Sequence, residues 1–268
     1  MKELSIYQID AFTDRVFGGN PAAVVPLDSW LDDQLMQRIA MENNLSETAF
    51  FVPTPERDDT DFHIRWFTPG AEVPLCGHAT LASAWVIFNR LDWSADTIRL
   101  TCKSGLLSVT RQADGWLELD FPALTTESVP APALLRESLA GVPETILHVP
   151  ADTNYLVELA DEAAVRAAEP DLRGLKALGN QGVIITAAGN NSDFVSRYFA
   201  PGVGIDEDPV TGSIHSVLTP YWVARLGRSE LLAHQVSTRG GVLKCQLRDG
   251  RVGIAGQAAF YMEGRIAL

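Results

Sequence analysis

The chain has little of what metal and nucleotide-cofactor chemistry is built from. Three cysteines stand among 268 residues, Cys76, Cys102 and Cys245. They are odd in number, widely spaced and in no CxxC pair, so they describe neither a disulfide framework nor a zinc site. The five histidines, His63, His78, His148, His215 and His234, fall in no HxH or HExxH pattern. There is no P-loop and no GxGxxG opening a helix after a strand. The expected chemistry therefore uses no metal and no cofactor. Positive charge is scarce as well: 21 Lys and Arg against 34 Asp and Glu give a net charge of −13, which argues against a nucleic-acid partner. No apolar run approaches the roughly 18 residues of a membrane span. The longest, Ala79 to Phe88, is interrupted by Thr80 and Ser83. Met1-Lys2-Glu3-Leu4 begins an alternating strand pattern instead of a signal peptide, so the cytoplasm is the expected compartment.

What the chain does contain is an internal repeat, at a period of about 130 to 136 residues. Trp66-Phe67-Thr68-Pro69-Gly70 matches Tyr198-Phe199-Ala200-Pro201-Gly202, and Cys76-Gly77-His78 falls opposite Thr211-Gly212-Ser213. Ala84-Trp85-Val86 falls opposite Tyr221-Trp222-Val223, Ser104-Gly105 opposite Gly240-Gly241, and Asp114-Gly115 opposite Asp249-Gly250. Asn20-Pro21 lines up with Asn154-Tyr155, and Glu47 with Gln181. Ordered matches with slowly drifting offsets describe a duplication. The repeat cuts the chain near Pro122, in a proline-rich stretch that reads as a connection. The expected lobes are 1–122 and 123–258, with the alternating segment 259–268 crossing back to the first.

Each copy reads on one plan. Strands are expected over Leu4–Phe12 and Ala22–Pro26. A helix follows with Ser29 as N-cap and Asp32 at the capping-box position. Leu31, Leu35, Met36 and Ile39 form its apolar face, and Asn43-Asn44 ends it. Strands recur over Thr48–Val52 and His63–Phe67. The segment Ala79–Leu91 is so apolar that its helix should be buried nearly all round, and Asp114-Gly115 marks a hairpin turn. Short strands around one apolar helix suggest a closed antiparallel sheet with a helix inside.

Two turns carry the candidate chemistry. Pro74-Leu75-Cys76-Gly77-His78 leads directly into the buried helix, whose first N–H groups lack intrahelical partners and favour an anion. Asp208-Pro209-Val210-Thr211-Gly212-Ser213 repeats the device. The two helix starts, brought together across a cleft between the copies, would grip a carboxylate from both sides. Taken singly, Gly77 and Gly212 read equally well as residues that only permit tight turns. His78 reads as a proton carrier near neutral pH or as a capping histidine, and Asp208 as a ligand contact or part of a solvated acidic turn. Glu47 begins an apolar strand, where burial raises a carboxylate toward the range useful in acid–base work. An ordinary strand-edge glutamate fits the same pattern.

Asn-Leu-Ser-Glu-Thr at 44–48, Leu-Cys-Gly-His-Ala-Thr at 75–80 and Glu-Asp-Pro-Val-Thr-Gly-Ser at 207–213 resemble the PhzF-like, phenazine-biosynthesis-related proteins. The resemblance covers essentially the whole chain, including the Asn20-Pro21 segment. It implies an α+β chain of the diaminopimelate epimerase-like fold: two pseudo-symmetric lobes, each an antiparallel β-barrel around a central helix. It also implies a homodimer. In the phenazine enzyme a single glutamate moves a proton between carbons of a cyclic dihydro-hydroxy-anthranilate without cofactor. That glutamate matches Glu47. The ligand contacts match His78 and Asp208, the helix-start glycines match Gly77 and Gly212, and Ser213, Cys76 and Asn20 lie beside them.

Related two-base epimerases use one cysteine from each lobe. This chain has Cys76 at the first place and Thr211 at the second, and a threonine hydroxyl is no matching base. Cys76, at a helix N-terminus, should have a lowered pKa if it is exposed. The expected activity is a cofactor-independent isomerase that shifts a proton on a small carboxylate-bearing metabolite. The alternatives are a one-thiol epimerase or dehydratase using Cys76 with Glu47, and a silent carboxylate-binding protein.

Overall fold

The computed structural model describes residues 3–268. In chain order the elements are β1 (Glu3–Ala11), β2 (Asn20–Pro26), α1 (Asp33–Asn43), β3 (Glu47–Pro53), β4 (Phe62–Phe67), β5 (Glu72–Val73), α2 (Gly77–Arg90), β6 (Thr97–Cys102), β7 (Gly105–Arg111) and β8 (Leu117–Pro122). They continue with β9 (Glu127–Pro130), α3 (Ala133–Ser138), β10 (Thr145–Val149), β11 (Asn154–Glu158), α4 (Glu162–Ala167), α5 (Leu172–Lys176), β12 (Gly182–Ala188), β13 (Phe194–Ala200) and β14 (Ile205–Asp208). Last come α6 (His215–Leu226), β15 (Glu230–Gln235), β16 (Gly241–Arg248), β17 (Arg251–Gly256) and β18 (Ala258–Ala267). The chain forms two compact units. One runs to Asp120 and takes back Ala255–Leu268, and the other is Phe121–Ile254. Among the described residues no helix is long and apolar enough to cross a membrane.

In the first unit β1 lies antiparallel between β18 and β2, and β2 runs parallel to β3. β3 is antiparallel to β4, which pairs antiparallel with β5 and parallel with β6. β7 is antiparallel to both β6 and β8. The second unit repeats this step for step. β10 lies antiparallel between β9 and β11, and β11 runs parallel to β12. β12 is antiparallel to β13, which pairs antiparallel with β14 and parallel with β15, and β15 is antiparallel to β16. The α+β architecture matches the expectation. The sheets are mixed, however, where a wholly antiparallel pattern was expected. Each parallel pair follows a helical crossover, through α1 or α2 in one unit and α4–α5 or α6 in the other, and a crossover returns the chain in the same direction.

Each helix is placed by what it buries. α2 has Gly77 through Ala84 and Val86 through Phe88 buried. Its two inner hydroxyls are satisfied within the helix: Thr80 Oγ1 donates to the Cys76 carbonyl at 2.5 Å and Ser83 Oγ to the Ala79 carbonyl at 2.7 Å. α1 packs Met36, Ile39 and Ala40 into a core with Val25, Leu27, Phe50, Val52 and Phe67. It starts three residues later than the sequence suggested. Trp30 and Leu31 pack against that core ahead of it, and Asp32 is itself the cap, accepting from the Gln34 N–H at 2.9 Å. Asn44 ends α1 in the left-handed region, at φ 50°. In α6, Pro220 lacks the N–H that would reach Ser216, and the Ser216 carbonyl instead accepts from the Leu124 N–H at 2.9 Å.

Strand register refines the internal repeat. Phe67 pairs with Thr48, and its repeat partner Phe199 pairs with Val183. Glu47 pairs with Ala22, and Gly182 with Asn154. The counterpart of Glu47 is therefore Gly182, one residue beyond the Gln181 indicated by sequence spacing. A Cβ added at Gly182 would stand 2.1 Å from Asn154 Oδ1 and 2.4 Å from the Tyr198 hydroxyl. Tyr198 donates to Asn154 Oδ1 at 3.0 Å across this spot, so the place of the glutamate side chain is filled. Gly182→Ala should accordingly destabilise the protein by about 1–3 kcal/mol in denaturant melts. An unchanged midpoint would show that the place is not filled.

Candidate active site

In the first unit, Asn20 opens β2, Glu47 opens the neighbouring β3, and His78 sits in the first turn of α2. All three side chains are buried, as is Cys76. Glu47 Oε2 lies 3.0 Å from His78 Nε2. On the other edge of the ring, Nδ1 meets the Asn20 amide nitrogen at 3.2 Å and Cys76 Sγ at 3.5 Å. The Asn20 amide oxygen accepts from Ser46 Oγ at 3.3 Å. In a singly protonated ring the Asn20 amide nitrogen, as placed, donates to Nδ1 and leaves the proton on Nε2, facing Glu47. The 3.0 Å approach is not in line with that N–H, so among the described residues Nε2 and Oε2 are buried with no aligned hydrogen-bond partner. That is the condition of a pair built to address a third group. Burial opposes charge on His78, but the adjacent Cys76 sulfur and Glu47 carboxylate outweigh it and hold the ring well above the ordinary histidine range. A doubly protonated ring needs the Asn20 amide turned, so that its oxygen faces Nδ1.

Cys76 is the residue before the helix, with extended backbone and no side-chain cap bond. Its lowered pKa was expected only with exposure, and that condition fails. Burial, followed by the nearby Glu47 charge, pushes the thiol up to about 11, so it rests protonated.

In the second unit, Asp208 ends β14 and accepts a short hydrogen bond from Thr211 Oγ1. The Thr211 N–H donates to Gln235 Oε1 at 2.8 Å, and Gln235 Nε2 donates to the Asp208 carbonyl at 2.9 Å. This network ties the Thr211 turn to β14 and β15. Gly212 and Ser213 do not open the helix as expected. They lie in a tighter turn, with His215 N–H donating to the Gly212 carbonyl at 3.0 Å and Ser216 N–H to the Ser213 carbonyl at 3.0 Å. α6 starts at His215. The His215 ring is fully buried, with Nδ1 2.8 Å from the Thr211 carbonyl, and burial pulls it down to about 4.

Sequence reasoning found Glu47, His78, Cys76 and Asn20, and the structure brings these four together. It also found Asp208, Gly212 and Ser213 of the second unit, around the Thr211 turn. It missed Gln235, and it missed a clamp made twice. Arg65 on β4 grips Glu72 on β5 at 2.8 and 3.0 Å, reaches Asp33 at 2.7 Å and lies 5.2 Å over Phe67. Arg197 on β13 grips Glu207 on β14 at 2.7 and 3.0 Å and lies 4.9 Å over Phe199. Each clamp fixes the short strand that delivers the turn, and hydrogen bonding to Arg65 holds Glu72 down at about 2. The signal was present in the sequence: an arginine two residues before the repeated phenylalanine, and a glutamate four before Cys76 and before Thr211. A cavity of about 790 Å³ in the second unit, lined in part by Thr125, Tyr221 and Arg225, contains none of the predicted residues.

The profile of the family described as phenazine biosynthesis-like protein matches residues 9–264. An uncharacterized isomerase of Pseudomonas aeruginosa is 51% identical over 266 residues, 99% of this chain and 100% of the relative. The crystal structure of a PhzF-family phenazine biosynthesis protein from Enterococcus faecalis superposes with a TM-score of 0.93 at 43% identity, covering 100% of both chains. A hydroxyproline epimerase from Agrobacterium vitis, with bound trans-4-hydroxy-L-proline, superposes with a TM-score of 0.66 at 11% identity, over 99% of this chain and 93% of that one. That likeness is one of fold alone.

The depressed His215 gives a testable acid sensitivity. An unfolded histidine takes a proton near 6.5, while the folded one stays neutral down to about 4. Its contribution is thus present above pH 6.5 and is lost as pH falls through that window. Against His215→Gln, the wild type should lose on the order of 3 kcal/mol between those limits, read as the pH dependence of the denaturation midpoint. Parallel curves would contradict the assignment.

Proposed function

The chain belongs to the phenazine biosynthesis-like protein family and is an isomerase, and on that premise we propose that Glu47 is its single acid–base group. Glu47 takes a proton from one carbon of a small carboxylate-bearing metabolite and returns it to another, without a cofactor. The observation that carries this reading is an inequality. Glu47 stands buried 3.0 Å from His78 Nε2, while its counterpart Gly182 has no side chain and its place is taken by Asn154 and Tyr198.

Carbon acids need a base held within reach and a charge that stabilises the carbanion as it forms. Glu47 is the base. The His78 N–H, facing the same space, donates to the oxygen on which negative charge develops. Asn20 and Cys76 fix the ring from behind through Nδ1, so that it addresses the substrate in one orientation. We assign Gly77 to contact with the substrate carboxylate through the backbone at the α2 start. Asp208, Gly212 and Ser213 are assigned to contact with the remaining polar groups of the ligand. Because Glu47 both removes and returns the proton, the transfer stays on one face of the substrate. A homodimer in the cytoplasm is part of the same proposal.

A positioned general base contributes about 10²–10⁴-fold. Glu47→Gln should lose that factor in the rate at which a stabilising ligand takes up deuterium from heavy water, followed by NMR, with its melting curve near wild type. Retained exchange in a folded Glu47→Gln variant would remove Glu47 from the mechanism.

One contact favours a second reading, in which Cys76 is the acid–base partner of Glu47: its sulfur lies 3.5 Å from His78 Nδ1. The buried thiol, pushed up to about 11, weighs against it. Iodoacetamide separates the two. The single-glutamate reading expects slow alkylation of Cys76, and a Cys76→Ser variant that keeps measurable exchange. Loss of exchange in Cys76→Ser equal to that of Glu47→Gln would favour the thiol.

A further inference from the structure

The internal repeat also breaks beside α6. The central helices of the two units close alike, on Arg90-Leu91 and on Arg225-Leu226. Counted back from these arginines, Pro220 stands where the first unit has Trp85. Trp222, the sequence match of Trp85, packs instead on Phe194 of β13, with ring centroids 5.7 Å apart, and donates to Thr186 Oγ1 at 3.0 Å. In the first unit Trp85 stacks on Phe260 of β18 at 5.6 Å, and Arg90 lies 5.1 Å over the one ring and 4.8 Å over the other. In the second unit β9 takes the place of β18, beside β10 as β18 lies beside β1. It has four residues where β18 has ten, and no aromatic residue occurs from 123 to 132. Both members of the stacked pair are therefore missing. The cavity of about 790 Å³ lies there, with Pro220 of α6 and Thr126 and Ser128 of the β9 segment in its lining.

We propose that this cavity binds a small uncharged aromatic molecule of the indole or phenol class, whose ring takes the place of the missing pair. Its volume falls in the range of roughly 300–1,000 Å³ typical of ligand pockets. Leu147 and Leu156 on the strands and Ala224 on the helix supply apolar wall. The hydroxyls of Thr126, Ser128 and Thr145 can donate to or accept from one polar substituent. Among the described residues the charged members of the lining are Glu158 and Arg225, and they neutralise each other. Arg225 donates to Glu158 Oε2 at 3.0 Å, and the Tyr221 hydroxyl donates to the same oxygen at 2.7 Å. A lining without net charge suits an uncharged ligand. Arg225 also lies 3.8 Å over the Tyr221 ring, so it has one ring where Arg90 has two. The ligand supplies the second, and the guanidinium favours it through the ring's negative face. None of this involves Glu47, so the site is independent of the catalytic reading.

Indole, the ring system of the missing tryptophan, is the probe. Titrated into the full-length wild type in a calorimeter, it should bind at one equivalent with Kd below about 1 mM. Cyclohexanol, a ring without a π face, should bind at least about tenfold more weakly. Ser128→Phe and Ala224→Phe put a ring into the cavity from the sheet side and from the helix side. Each, if folded, should bind indole at least about tenfold more weakly than wild type. Glu47→Gln should bind it as wild type does. Absence of binding to folded wild type, an affinity unchanged in whichever ring variants fold, or cyclohexanol binding as tightly as indole overturns the proposal. So does loss of binding in Glu47→Gln, which would put indole in the first unit. The sedimentation coefficient should not change with indole. Dissociation into lighter species would assign the cavity to an aromatic side chain of a second copy and overturn the small-molecule reading.

Discussion

A carboxylate and an imidazole buried side by side in an apolar lobe are stable only because each offsets the desolvation of the other. Glu47 and His78 stand in that relation at 3.0 Å, and much of the first unit is arranged to keep them there. Parallel pairing of β2 and β3 sets Ala22 against Glu47, with Asn20 two residues earlier along β2. Asn20 and Cys76 then occupy the far nitrogen of the ring, which leaves one direction in which His78 can act. The helix that carries His78 is buried along nearly its whole length, so the ring has a rigid base.

Duplication explains both what the two units share and how they differ. They share a pairing scheme, two parallel crossovers and an arginine clamp that fixes a short strand ahead of a turn. They differ at the residues proposed to handle protons. Glu47 faces no equivalent, because Gly182 stands at its register position. Asp208 in turn stands where the first unit has Val73, as the pairing of Tyr198 with Asp208 and of Trp66 with Val73 shows. The scaffold is kept in both copies while the turns differ: an imidazole, a thiol and a carboxylate meet at one, and a hydroxyl, amide and carboxylate network forms at the other.

Much of this was legible in the sequence, and the failures have physical causes. The repeat, the buried helix and the end of α1 at Asn43-Asn44 follow from pattern and spacing, while the grouping of Asn20, Glu47, Cys76 and His78 came with the family resemblance. The assignment of Gln181 opposite Glu47 slipped by one residue because loop lengths differ between the copies, and only hydrogen-bonded register counts residues across strands. The α6 start slipped because the Thr211 carbonyl meets the His215 ring at Nδ1, while the His215 N–H donates to the Gly212 carbonyl in a tighter turn. The state of Cys76 was open for a related reason: a helix N-terminus lowers a thiol pKa, burial raises it, and only packing decides between them.

The most direct test of a one-base site is stereochemical. A small chiral carboxylic acid that stabilises the protein is incubated with it in heavy water, and deuterium content and configuration are read together at the exchanging carbon. A single base on one face predicts deuterium entering with configuration retained. Deuterium found only in the inverted enantiomer would require a second base on the opposite face and would contradict the account.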